Sequence, residues 1–541
     1  MFKKILISCL ILGLPCWALC QITLKDSLLG TLSPARTCYD VKHYDLRLQI
    51  NPETQSLRGS NIITFQVQED TQTLQIDLDP TLQIVQIKQQ KNKLKFHRQE
   101  RAVFIHFPKV QKKNSVQNIE IQYEGKPIIG KMPPWDGGFV WKKDATGKPW
   151  VGVACQGIGA SIWYPCKDHW SDKPDSVRLQ YDVPKGLMAV GNGNLVKKED
   201  IGEWSRYVWK TSYPINNYNI TLNIANYQHF SDEYIAADGQ KLALDYYVLP
   251  ENIEKAKKHF EQEVKKMLAC YEKLFGKYPF WDDGYALVET PYLGMEHQGA
   301  FAYGNNYKMG YNGGDLTGTG IQKTFDFIIV HETGHEYWGN SVSGYDKADM
   351  WIHEAFCTYA EALYVECLQG KDKAYQYAKG WQRIIRNDKP ILPRRFANQE
   401  GSGDMYFKGA LMLHTLRNTL NDDTQWFKII YDFAQDFKGK NAKTDEVIAY
   451  FEKKMQKKVQ PIFEQYLQYT QIPTFEYKIE NNTLQYRWLA QAKDFSMPIV
   501  IRLDNNLVRL EANSQWQSYA LNGNENLQIH TDLFYVNVKK L

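Results

Sequence analysis

The chain has 541 residues, 43% hydrophobic and 13% aromatic, ample for a large core and for roughly three or four domains. Its 65 Lys and Arg nearly balance 61 Asp and Glu; the formal charge of +4 becomes 4 − 2 = +2 without Lys3 and Lys4. So neutral a balance excludes nucleic acid as the expected partner, and no segment after the first twenty residues has the roughly twenty apolar residues needed to span a bilayer.

Residues 1–20 read as an export signal: Lys3 and Lys4, an apolar run over 5–14, then Ala18-Leu19-Cys20 as a small-x-small cleavage site. The expectation is cleavage before Gln21 and a periplasmic or secreted protein. A lipid anchor on Cys20 is the weaker reading, because Leu19 is bulky for the position before a modified cysteine. Six cysteines remain after cleavage, Cys38, Cys155, Cys166, Cys270, Cys357 and Cys367, too few in so long a chain for a disulfide framework. Cys357 and Cys367 share a predicted helix about 15 Å apart, beyond bridging distance, and burial as small apolar side chains is expected for most.

Strand patterns fill residues 40–227. Residues 43–50 alternate, turn at Asn51-Pro52, and return over 62–67, with further short strands at 74–78, 103–107 and 177–183. They predict an antiparallel domain, a saddle or sandwich. After Pro250 the period changes: Ala256, Phe260, Val264, Met267, Tyr271 and Phe275 mark a helix that stops at Gly276. Lys255, Lys257 and Lys258 would form its solvated face. Helical signals run to about Gln468, and alternation resumes after Ile472-Pro473, with turns at Asn481-Asn482 and Asn505-Asn506. The expected architecture is multidomain α+β: residues 21–230 an N-terminal antiparallel β domain, 231–470 a mainly helical catalytic domain, and 471–541 a small C-terminal β domain.

Inside the helical stretch, residues 331–335 read H-E-T-G-H, and Glu354 follows after eighteen residues. Histidines four apart on a helix project from one face, so His331 and His335 can reach one metal ion. Glu332 points along the same groove and suits a general base. A catalytic zinc takes three protein ligands. The longer zinc pattern would require histidine where Ser341 stands, so Glu354, at the start of a second helix reaching about Leu368, is the better third ligand. The first helix is expected over 324–338, closed by Gly339, with a polar connection over 340–347. His353, one residue before Glu354, should point elsewhere.

Three more motifs add to these. Leu293-Gly294-Met295-Glu296-His297-Gln298 precedes the zinc motif, Met405-Tyr406-Phe407-Lys408-Gly409-Ala410 follows it, and Gln156 precedes Trp163-Tyr164-Pro165-Cys166-Lys167-Asp168-His169. With them the chain resembles gluzincin aminopeptidases of the aminopeptidase N and leukotriene A hydrolase family, over nearly all of residues 39–541. The resemblance implies a thermolysin-like catalytic domain and one zinc ion on His331, His335 and Glu354, with Glu332 as general base on a zinc-bound water. It implies that Tyr406 steadies the oxyanion and that Glu296, flanked by Gln156, binds the free α-amino group of a peptide. Gly294 and Met295 would lie along the substrate backbone. A buried carboxylate can tell a terminal ammonium from an internal amide through a charge-assisted hydrogen bond, and a phenol can donate to a developing oxyanion. His297 departs from the family's asparagine, and the large C-terminal helical domain of many relatives has no counterpart. An epoxide hydrolase or endopeptidase on the same zinc site, or a peptide-binding scaffold without catalysis, are the alternatives.

Overall fold

The computed structural model describes residues 22–523 and 526–541; the expected export segment, residues 1–20, lies outside them. Strands β1 (Tyr39–Asn51) and β2 (Ser56–Val67) pair antiparallel across the turn at Pro52. A bulge between Val41 and His43 shifts the alternation by one residue. Tyr39 and Val41 face the core before it, and Tyr44, Leu46, Leu48 and Ile50 after it. Among the described residues the pair sits inside an eight-stranded sheet, which shares one core with a smaller sheet that includes Gly138–Lys143 and Pro149–Ala154.

On its other side β1 pairs with β3 (Ser176–Pro184) in parallel, from His43↔Ser176 to Gln49↔Asp182. That corrects the expectation of a purely antiparallel domain. Alternation shows that a strand is half-buried but not which way its neighbour runs. A parallel partner needs a long crossover, and the strands between Thr71 and Ala154 supply it.

The second body is built on a mixed sheet whose first strand, Gln228–Ile235, begins just inside the span assigned above to the N-terminal domain. It continues through β4 (Lys241–Val248), β5 (Tyr285–Glu289), the two-residue β6 (Gly294–Met295) and β7 (Phe301–Tyr303). β4, β5 and β7 are parallel neighbours, while β6 pairs antiparallel with β7 and forms the sheet edge. Helix α1 (Ile253–Phe275) buries the six periodic positions named above and stops at Gly276, whose φ of +92° suits glycine.

Helix α2 (Phe327–Tyr337) carries the H-E-T-G-H motif and is buried along its whole length. It starts three residues later than the pattern predicts because Asp326 caps it. The Asp326 carboxylate accepts the amides of Ile328 (2.9 Å) and Ile329 (3.2 Å), and is itself fixed by His259 of α1 and Tyr303 of β7, each at 2.7 Å. Helix α3 (Trp351–Gln369) packs against both α2 and α4 (Phe407–Leu420). One disulfide joins Cys270 of α1 to Cys367 of α3, so the expectation that the cysteines serve chiefly as buried apolar groups fails for these two. Packing between helices distant in sequence brings them to a Cα separation of 6.2 Å. Cys38, Cys155, Cys166 and Cys357 are free and buried.

The chain ends in two small sheets built on the hairpins Thr474–Glu480 with Thr483–Leu489 and Ser496–Leu503 with Asn506–Asn513. Asn481 and Asn482 both have positive φ, as a tight hairpin turn requires. The second turn falls one residue earlier than expected, on Asp504, at φ +52°, and Asn505.

Candidate functional site

The four-residue spacing on α2 places His331 and His335 on one face, and α3 brings Glu354 across it. Glu354 Oε2 lies 3.8 Å from His331 Nε2 and 3.4 Å from His335 Nε2. That oxygen is buried and makes no hydrogen bond among the described residues. A carboxylate oxygen left so is costly unless a cation sits against it. The remaining ring nitrogens are engaged. His335 Nδ1 donates to the Trp338 carbonyl at 3.0 Å, and His331 Nδ1 donates to Glu361 at 2.8 Å. A carbonyl only accepts, so His335 carries its proton on Nδ1; a carboxylate fixes His331 likewise, and both Nε2 lone pairs face Glu354. The other oxygen of Glu361 accepts the Tyr377 hydroxyl at 2.7 Å. Two imidazoles and a carboxylate opening on a cleft are a donor set that fits catalytic zinc.

Burial raises the Glu354 carboxyl, but His335 and His331 in their protonated forms outweigh it and hold the group well below the usual carboxylate range. A bound cation acts in the same direction. Cys357 also lies near both histidines. Its Sγ donates to the His331 carbonyl at 2.7 Å, so the thiol is already engaged with the backbone of α2.

Glu332 stands beside the triad on the cleft side. Burial pushes its carboxyl up to about 8; His331 and His335 pull it down, and Glu296 and Glu354 push it further up. A carboxyl with a pKa near neutrality suits both taking and returning a proton. Its position rests on β6. A Cβ built on Gly294 would stand 2.4 Å from Glu332 Oε1 and 3.0 Å from Ile328 Cγ2. Gly294→Ala should therefore displace the base while leaving zinc bound, and a displacement near 1 Å costs about a hundredfold in rate. Zinc analysis beside kcat would check this; wild-type turnover would show that Glu332 does not depend on the glycine.

Opposite Glu332, the N-terminal body contributes Gln156. Its amide donates to Glu296 Oε1 at 2.5 Å and reaches Glu354 Oε1 at 3.4 Å. The Glu296 carbonyl accepts Asn340 Nδ2 at 2.9 Å, which ties the loop after β6 to the end of α2. Burial raises the Glu296 carboxyl, with His335 opposing and Glu354 adding to the shift. His297 points away from this group. It is fully buried with neither ring nitrogen bonded among the described residues, and burial lowers it to about 3, so it is a neutral core imidazole.

The Tyr406 ring stacks beside His331, centroids 6.1 Å apart. Burial, then the Glu354 and Glu296 charges, raise its phenol well above 10, which keeps it protonated and able to donate. Gln156, Glu296, Glu332, Tyr406 and the triad line one cleft of about 400 Å³, walled by Leu293, Met295, Phe327, Met350 and Phe407, with the exposed Trp135 at its rim.

The structure thus gathers His331, Glu332, His335, Glu354, Glu296, Gln156, Gly294, Met295 and Tyr406 around one cleft. His353 turns away: its Nε2 accepts the Gly344 amide at 2.7 Å and its ring stacks on Trp170. Two neighbours of these side chains had not been singled out. Glu361 had a signal, because it follows Glu354 by seven residues, two turns along the same helix face. Tyr218, whose hydroxyl meets His353 Nδ1 at 3.3 Å, had none.

Comparison with known proteins agrees with this architecture. The Peptidase M1 N-terminal domain matches residues 40–218, and the Peptidase family M1 domain matches residues 259–466, together well over half of the chain. A leucyl aminopeptidase of Saccharolobus solfataricus is 23% identical over 59% of this chain and 38% of its own length. Aminopeptidase B of Mus musculus is 23% identical over 56% of this chain and 46% of its own, and leucine aminopeptidase 2 of Neurospora crassa 24% over 63% and 50%. The chain thus spans half or less of the length of these curated relatives. An M1 zinc metallopeptidase from Deinococcus radiodurans superposes with a TM-score of 0.66 over 80% of this chain and 94% of that one, at 20% identity. A variant of it bound to a Tyr-Ser-Ala substrate superposes at 0.65. With both of its domain types present in order and the zinc donor set assembled on two helices of the second, the chain belongs to peptidase family M1.

Proposed function

We propose that the protein is a zinc aminopeptidase that removes N-terminal residues from peptides. The observation that carries this reading is the buried Glu296 carboxylate, bonded by Gln156 within the same cleft as Glu332 and the triad. Hydrolysis of an internal amide needs no such group. An ammonium held beside the reacting carbonyl does.

Zinc on His331, His335 and Glu354 would supply Lewis acidity, polarising the scissile carbonyl and making water acidic enough to attack. The substrate ammonium docks on Glu296 with Gln156 alongside, which fixes the first peptide bond over the triad. The backbone of β6 offers a sheet edge along which an extended peptide can pair. Glu332 accepts the proton of the attacking water and returns it to the departing amine. Tyr406 donates its hydroxyl to the oxygen on which negative charge develops, a contribution of about 3 kcal/mol for one such donor.

Glu296→Ala should lower kcat/KM on an aminoacyl anilide about a hundredfold, the scale of an ammonium–carboxylate bond at a desolvated site. It should leave the slow hydrolysis of an N-acetylated peptide unchanged. Equal losses on both substrates would contradict amine recognition, and a wild-type enzyme that prefers the acetylated peptide would be an endopeptidase.

The same reading puts the enzyme outside the cytoplasm, exported by the first twenty residues. The Cys270–Cys367 disulfide supports it, since such bonds persist in oxidising compartments. Mass spectrometry of the native protein is expected to find Gln21 at its N-terminus, and material starting at Met1 would refute export by cleavage.

A further inference from the structure

Residues 296–299, which follow β6 and begin with the amine-binding glutamate, lie outside helix and strand. The His297 ring bonds to nothing among the described residues, so the loop takes its shape from bonds that reach it from elsewhere. Gln298 ties it to the N-terminal body: its carbonyl accepts Asn192 Nδ2 at 2.9 Å, and its Nε2 donates to the Pro214 carbonyl at 3.1 Å. The Gly299 amide donates to Glu336 of α2 at 3.2 Å. At Glu296 itself the bond comes from Asn340, whose Nδ2 donates to the main-chain carbonyl at 2.9 Å.

Asn340 is fully buried, and every polar atom it has is engaged. Its amide donates to the carbonyl of the zinc ligand His335 at 2.9 Å, and its own carbonyl accepts Lys173 Nζ of the N-terminal body at 2.9 Å. In the side chain, Nδ2 also donates to Glu336 Oε1 at 2.9 Å, and Oδ1 accepts Asn219 Nδ2. A carbonyl only accepts, so the nitrogen must face Glu296 and the carboxamide stands one way round. Glu336 is fixed in turn by the Tyr278 hydroxyl at 2.7 Å. Turning the carboxamide would break three bonds in a site closed to water, each costly to leave unmade. One side chain therefore joins the end of α2, the N-terminal body and the main chain of Glu296.

We propose that Asn340 is a positioning residue for amine recognition: its carboxamide, set by Glu336 and Asn219, holds the main chain of Glu296 so that the carboxylate stands against Gln156 in the cleft. The inference rests on the aminopeptidase reading. Asn340 does not line the cleft, so it acts through Glu296 and does not touch substrate.

Asn340→Ala removes all three side-chain bonds. Asn340→Asp in a Glu336→Gln background is the gentler variant. It keeps the shape and the acceptor for Asn219, sets the new carboxylate against an amide, and lacks only the donor to Glu296. On the zinc-loaded full chain, calorimetric titration is expected to show affinity for L-tryptophan reduced about tenfold in both, the order that an unmade hydrogen bond at a buried carbonyl costs. N-acetyl-L-tryptophan should bind as before, and zinc content should not change. With an aminoacyl anilide the loss should fall on KM, with kcat within about twofold of wild type. In a Glu296→Ala background, Asn340→Ala should have no further effect on L-tryptophan binding, a coupling that a merely structural role would not produce. Should Asn340→Ala fail to fold, the double variant decides. Wild-type affinity in that variant, an equal loss in the Glu296→Ala background, or a matching loss for the acetylated ligand would overturn the proposal. If the wild-type enzyme does not distinguish L-tryptophan from its acetylated form, amine recognition itself fails, and the role of Asn340 falls with it.

Discussion

Glu332→Gln should bind zinc as the wild type does and lose about a thousandfold in kcat, within the range that a positioned general base contributes. The substitution keeps the size of the side chain and its place against Gly294. It does not touch the Nε2 atoms of His331 and His335 or the carboxylate of Glu354, so metal content should stay the same. What disappears is a group able to take a proton and give it back. KM should change little, because on the proposed reading the substrate amine is held by Glu296 and Gln156 and not by Glu332. Single-turnover kinetics beside zinc analysis would separate these effects. Near wild-type turnover with full zinc would remove Glu332 from the proton transfers.

The second large effect is expected at Glu354. Glu354→Ala leaves two imidazoles to hold the ion, and zinc affinity should fall by more than the roughly 10- to 100-fold that loss of an outer hydrogen-bond partner costs. After dialysis against a weak chelator the variant should be metal-free and inactive while the wild type keeps its ion. The fold should survive, because of the two oxygens removed Oε2 makes no hydrogen bond among the described residues and Oε1 has only the 3.4 Å contact from Gln156. Circular dichroism would establish that, and unchanged stoichiometry in the variant would place the third ligand elsewhere.

The chemistry was more legible in the sequence than its framing. His331, Glu332, His335 and Glu354 are local features: a four-residue helical spacing and a carboxylate on the next helix. Asp326 was legible in principle as a capping residue, but the apolar pattern upstream drew the expected start of α2 back to residue 324. The buried length of α2 also removes the polar face by which helix ends are usually read. The parallel join of β1 to β3 and the Cys270–Cys367 bridge were hidden for one reason. Each depends on which elements pack together across long stretches of chain, and neither periodicity nor spacing encodes that. Tyr218 belongs to the same class. Its contact with His353 depends on Asn216 and Asn219, which bind the N-terminal body to the segment after α2. Gly294, by contrast, was marked as a stretch of backbone along the substrate, and its closest neighbour is the Glu332 carboxylate.

Anomalous diffraction from crystals of the zinc-loaded protein, collected on both sides of the zinc absorption edge, tests the centre of this account most directly. A single peak per chain is expected, about 2.0–2.2 Å from the Nε2 atoms of His331 and His335 and from an oxygen of Glu354. A peak elsewhere, or none at those three side chains from folded and fully loaded protein, would contradict it.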